Sequence, residues 1–201
     1  MNYYIADCHF GHQNILHFDK RPFADLYQME EVMIMLWNAA VKKEDTIYIL
    51  GDFCWGKADE WLSLTRKLNG QKVLIEGNHD LGIYPPELRK EFVDIKEYME
   101  IADYAKDGNC RKVVLSHYPM PLYKHSGNSK YYMLCGHVHA TLENDYLEQW
   151  TQELRSNCNQ GFDFHNCGQI YNVGCMMPWM QYTPRTLDEI IKRWDQCHKE
   201  E

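Results

Sequence analysis

Hydrophobic and polar positions along this chain switch repeatedly between a period of two and a period near 3.6, and the switches mark its elements. Residues 3–6 read as a first strand, extended and rich in β-forming side chains. Over about 25–41, Met29, Val32, Met33, Leu36, Trp37 and Ala40 recur at helical spacing as one apolar stripe. Residues 46–50 form a second predicted strand. Trp61, Leu64, Thr65 and Leu68 then line one side of a helix over about 57–68, which Asn69-Gly70 ends. A third strand follows at 72–75, and further strands are predicted near 113–115, 131–134 and 170–173. Leu147, Trp150, Thr151 and Leu154 again keep helical spacing. A last helix starts at Thr186, with Glu189 three residues on to complete a capping box. No repeat, linker or low-complexity tract divides the pattern, so one α/β domain is expected over residues 1–201.

Composition narrows the function classes. A chain of 201 residues with 45% hydrophobic and 25% charged positions can bury a sizeable core without disulfide staples. Its apolar runs are too short to span a bilayer, and residues 1–7 carry neither a basic nor a long apolar region, so no signal peptide is expected. Eight cysteines are scattered without a CxxC pair, which disfavours a zinc ribbon or a thioredoxin-type site and fits reduced thiols in a cytoplasm. The net charge of −8 leaves no basic footprint for general nucleic-acid binding. A phosphate substrate stays open, because bound cations would reverse the local field.

The candidate chemistry sits where the predicted strands end. Asp7-Cys8-His9 follows the first, Gly51-Asp52 the second, and Gly77-Asn78-His79-Asp80 the third. Ser116-His117 and Gly136-His137-Val138-His139 follow later apolar strands. Ligands of open α/β sheets gather at the carboxyl ends of strands, so these five segments can converge. Their carboxylates, amide and imidazoles offer oxygen and nitrogen without thiolate, which suits manganese, iron or zinc. Each fragment alone is weak: a D-x-H triplet or a GD dipeptide is common in ordinary turns. Five such turns in this order and strand context are a far stronger signal.

In that order the segments resemble the calcineurin-like metallophosphoesterases, whose pattern D-x-H, GD, GNH[D/E], H, GHxH is complete here from Asp7 to His139. The opening Asp7-Cys8-His9-Phe10-Gly11-His12, followed by Arg21-Pro22-Phe23, looks closest to small bacterial and phage members. The resemblance implies two mixed β-sheets packed as a sandwich flanked by helices, a four-layer αββα fold with two metal ions at one end. It assigns Asp7, His9 and His139 to one ion, Asn78, His117 and His137 to the other, and Asp52 as the bridge. His79 is left to face the substrate as general acid, with Asp80 placed to fix its tautomer. Two cations about 3.5–4 Å apart can acidify a shared water and clamp a phosphoryl group for in-line attack. A general acid adds roughly 10²–10⁴-fold.

Two departures from larger members matter. The Ser/Thr protein phosphatases continue the second motif as GD-x-x-D-R-G, whereas this chain reads Gly51-Asp52-Phe53-Cys54-Trp55-Gly56. Protein phosphatase activity is therefore not expected, and His12 and Arg21 become the candidate phosphate contacts. The connection 140–168 is long and is read as an insertion or a cap over the metals; within it, irregularly spaced Cys158, His165 and Cys167 are read as ordinary side chains. Three readings remain: a phosphomonoesterase or phosphodiesterase for a small or nucleotide-like phosphate, a nuclease, and a non-catalytic scaffold like the retromer subunit of this fold. The scaffold lacks the catalytic histidine that His79 supplies here.

Overall fold

A computed structural model of the chain describes residues 1–157 and 168–198. Strands β1 (Asn2–Ile5), β2 (Thr46–Leu50), β3 (Gln71–Ile75) and β4 (Phe92–Lys96) form a parallel sheet in sequence order. Strands β5 (Tyr98–Tyr104), β6 (Cys110–Ser116), β7 (Tyr131–Cys135) and β8 (Ile170–Asn172) form a second sheet, antiparallel only between β5 and β6. Glu97 alone separates β4 from β5, so the chain steps there from one sheet to the other.

Strand alternation sorts the core into layers. Ile5, Ile47, Ile49 and Leu74 face outward against Met29, Met33 and Trp37 of helix α2 (Leu26–Ala40) and Trp61 and Leu64 of helix α3 (Ala58–Lys67). Tyr4, Ala6, Leu50 and Ile75 face the other way, onto Val113, Leu115, Leu134, Tyr171 and Val173. Beyond the second sheet, Val114, Met133, Cys135 and Ile170 pack with Leu147 and Trp150 of helix α5 (Leu142–Asn157). Helices, sheet, sheet, helix is the expected order. Helix α6 (Leu187–Cys197) inserts Leu187, Ile190 and Trp194 into the inter-sheet core. Its capping box forms as read, Thr186 accepting from the Glu189 N–H and Glu189 accepting from the Thr186 N–H.

The apolar stripe of α2 narrows to Met29, Met33 and Trp37 as fully buried positions, with Asp25 capping the helix by accepting from the Gln28 N–H. Strands β4 and β5 are additions to the sequence reading. Each lies at a sheet edge, and their sequences, FVDIK and YMEIADY, interrupt the apolar positions with charges, Asp94 and Lys96 in β4 and Glu100 and Asp103 in β5. Short helices α1 (Ile15–Phe18) and α4 (Pro86–Arg89) were also not predicted. The reading of 140–168 as a cap is corrected for its helical part: α5 lies on the outer face of the second sheet as a flanking layer. Residues 158–167, with Cys158, His165 and Cys167, fall outside the described residues. No helix among the described residues is long and apolar enough to cross a membrane.

Candidate metal centre

Parallel strands deliver the candidate ligands to one end of the sandwich. Asp7, Asp52 and Asn78 follow the ends of β1, β2 and β3, and His117 and His137 follow β6 and β7. The turns that carry them are strained. Asp7 (φ 53°), His9 (51°), Asp52 (50°), His137 (73°) and His139 (47°) are all in the left-handed region. Each costs roughly 1–3 kcal/mol for a residue with a side chain. Close packing leaves little alternative: a Cβ at Gly77 would fall 2.4 Å from Asp52 Oδ1, and one at Gly136 2.7 Å from Asp7 Oδ2.

Buried polar clamps hold these loops. The Asp80 carboxylate accepts from the backbone N–H groups of Gly77 (2.8 Å), Phe53 (2.9 Å) and Asp52 (3.1 Å). Burial pushes its carboxyl up to about 6 although those bonds oppose the shift. Among the described hydrogen bonds none joins Asp80 to the His79 ring, so its expected role as a tautomer partner is corrected to that of a loop clamp. Arg21 is corrected too. It is 4% exposed and gives its donors to the carbonyls of Cys8 and Asp7, both at 2.8 Å, and to Asp19. A guanidinium so occupied fastens the Asp7-Cys8-His9 turn from behind and does not face a substrate.

The ligand atoms converge in two groups. Asp7, His9, Asp52 and His139 each place one within 4.8 Å of all the others. His139 directs Nδ1 at Asp19 Oδ1, 2.7 Å away, which turns Nε2 toward His9 Nε2 at 3.3 Å. Only a proton or a metal ion can sit between two such nitrogens. Burial drives the His9 pKa down to about 2, so its ring is the neutral, ligating form. In the second group, His117 donates Nδ1–H to the Leu50 carbonyl (2.9 Å) and is left with a bare Nε2 facing Asn78 Oδ1 at 3.0 Å. His137 Nδ1 lies 2.9 Å from the same oxygen. Acceptors pointed at one another call for a cation. Asp52 spans the groups, Oδ2 at 3.6 Å from His9 Nε2 and Oδ1 at 3.6 Å from His117 Nε2. Asp7 is fully buried, and burial lifts its carboxyl to about 7, so the cavity resists a second negative charge until a cation enters.

A family model for the calcineurin-like phosphoesterases matches residues 3–164. The chain belongs to that family. An uncharacterized protein of Methanocaldococcus jannaschii is 32% identical over 192 residues, covering 94% of this chain and 89% of that protein. The Gene 66 protein of Mycobacterium phage D29 is 33% identical over 133 residues, 58% of this chain and 63% of its own length. A crystal structure of an Aquifex aeolicus protein of unknown function superposes with a TM-score of 0.56 at 27% identity, covering 96% of this chain and 98% of that one. The two helix-flanked four-stranded sheets are thus those of a calcineurin-like phosphoesterase, and its phage-type resemblance has counterparts in real phage proteins.

Asp19 is the residue the sequence reading missed in this calcineurin-like phosphoesterase. Its Oδ2 takes two bonds from Arg21, at 2.8 and 2.9 Å, while Oδ1 holds His139. Burial would raise its carboxyl, but the His139 and Arg21 contacts outweigh that and hold it below the usual carboxylate range. The Asp19-x-Arg21 spacing hints at a local ion pair; nothing local names a histidine 120 positions on. Asp19→Asn is expected to weaken metal binding by about 10–100-fold, the usual effect of losing a carboxylate behind a ligating imidazole. Competition between the protein and a chelator for manganese reads this directly. Unchanged affinity would make the Asp19–His139 contact incidental.

Proposed function

We propose that this chain hydrolyses a small phosphomonoester or phosphodiester with two divalent cations, manganese being the favoured metal. The observation that carries the reading is Asp52, whose two oxygens face two separate sets of ligand atoms. Asp7, His9 and His139 would hold one ion, Asn78, His117 and His137 the other. When bound, the pair supplies an acidified water and a positive clamp for the phosphoryl oxygens. Oxygen and nitrogen donors without thiolate are compatible with manganese, iron and zinc.

The protein's own groups do the rest. Asp52 Oδ1 also accepts the His79 N–H at 2.9 Å, so the bridging carboxylate sets the position of the residue that faces the substrate. His79 is exposed, and no described hydrogen bond ties its ring. That leaves the imidazole free to give a proton to the departing ester oxygen. A small substrate accords with the net charge of −8, which opposes docking of a polyanion. The six described cysteines are all free thiols, in keeping with a reducing cytoplasm as the compartment. Metal-stripped protein reloaded with manganese should carry two ions per chain by elemental analysis and regain phosphoesterase activity. One ion or none at saturating manganese would overturn the two-cation reading.

A further inference from the structure

Two loops at the site carry exposed rings in a row. His12 comes from the loop after β1, Phe18 from the short helix α1 that continues it, and Trp55 from the loop after β2. Phe18 lies 6.1 Å from His12, His12 stacks on Trp55 at 4.4 Å and 15°, and Trp55 reaches His79 at 5.5 Å. Phe18 is 71% exposed and Trp55 44%. A contiguous open aromatic surface is a costly thing to show to water and marks a binding surface more often than chance exposure does.

The placement of Trp55 is held from below. Its backbone N–H donates to the Phe10 carbonyl, and neighbouring Phe53 is fully buried against Phe10, Trp37 and Trp61. The His12 ring, the expected phosphate contact, is engaged in backing the indole, with Nδ1 buried and without a hydrogen-bond partner. Arg21 is likewise spent on backbone carbonyls and Asp19. The side chain beside His79 is the Trp55 indole, a flat apolar ring 5.5 Å away.

Resting on the phosphoesterase reading of the same site, we infer that Trp55, backed by His12, recognises a planar heteroaromatic ring on the leaving group, making the substrate a nucleotide whose nucleoside departs. The side of the ester is set by His79: a ring stacked on Trp55 lies beside the residue that protonates the departing oxygen. Indole–base stacking of this kind tolerates different bases, because every base presents a π-face. Sequence-tolerant recognition of single nucleotides follows, without a basic groove.

AMP and ribose 5-phosphate share the departing primary oxygen and differ in the base, so their ratio isolates the ring. Manganese-loaded full chain is titrated calorimetrically with the uncleavable methylenephosphonate analogue of each, and kcat/KM is measured on each parent phosphate. Wild type should bind the adenine analogue roughly 5- to 150-fold more tightly, the span expected for one stacked base. Trp55→Ala should bring that ratio toward one with two ions still bound, Trp55→Phe should keep most of it, and His12→Ala should lower it partway. A wild-type ratio near one overturns the inference, as does a Trp55→Ala protein that weakens both analogues equally and keeps the ratio. The two readings fail separately. Cleavage of both phosphates with equal kcat/KM leaves the phosphoesterase and removes the ring platform; a preserved binding ratio without cleavage of either phosphate or of bis-nitrophenyl phosphate leaves the platform and removes the hydrolysis.

Discussion

Asp52→Asn is expected to reduce turnover by about 10³-fold or more, the loss of several kcal/mol of charge stabilisation at the reacting phosphate. The reason lies in what an amide cannot do. Both Asp52 oxygens face bare imidazole nitrogens at 3.6 Å, one in each ligand group. Asparagine would keep one oxygen and turn an NH₂ toward the other group, where a donor blocks a cation. The metal-free fold should survive, because an Asn oxygen can still accept the His79 N–H that Asp52 Oδ1 accepts now. Without metal the variant should melt at the wild-type temperature or slightly above it, since the Asp52 charge is one of the influences raising the Asp7 carboxyl. With manganese at a hundred times its Kd, wild type gains about 2.7 kcal/mol from a bound ion, and the variant should gain less. Thermal melts with and without manganese read both halves. A variant that takes up two ions at wild-type affinity and turns over normally would remove Asp52 as the bridge.

How much of this was legible in the sequence depends on how far apart the cooperating residues lie. Each candidate ligand sits within four residues of a strand end, so a short apolar run followed by Asp, Asn or His was enough to place it. The layer order was legible for the same reason, since Met29, Met33 and Trp37 on one stripe can only serve a sheet face. The direction in which a loop side chain points was not. Arg21 looks like a phosphate contact in sequence, yet it turns inward because the left-handed backbone at Asp7 and His9 leaves carbonyls that need donors. Asp80 follows His79 and was read as its partner; the glycine turn at Gly77 instead brings its carboxylate onto three backbone N–H groups. Asp19 and His139 meet across 120 residues, a contact that only the closed sandwich creates. Helical spacing from Leu147 to Leu154 was visible, but which surface that stripe would cover was decided by the outer face of Val114, Met133 and Ile170.

His79→Asn separates a proton donor from a ligand and an enzyme from a scaffold. The substitution keeps a residue whose N–H can still bond to Asp52, and His79 is in neither ligand group, so both ions should remain. What changes is the proton available to the departing oxygen. A nitrophenolate leaves readily without one, and a nitrophenyl phosphate should therefore lose comparatively little rate. A nucleoside or alkyl alkoxide needs that proton, and its loss should approach the general-acid range of roughly 10²–10⁴-fold in kcat. The contrast between the two substrates, measured on one enzyme preparation with its metal content determined, is the test. A variant that loses an ion would place His79 among the ligands. Equal losses on both substrates would mean that the imidazole steadies charge on the phosphoryl oxygens. Wild-type rates on both would take His79 out of the reaction, and the exposed ring beside Trp55 would then belong to binding alone.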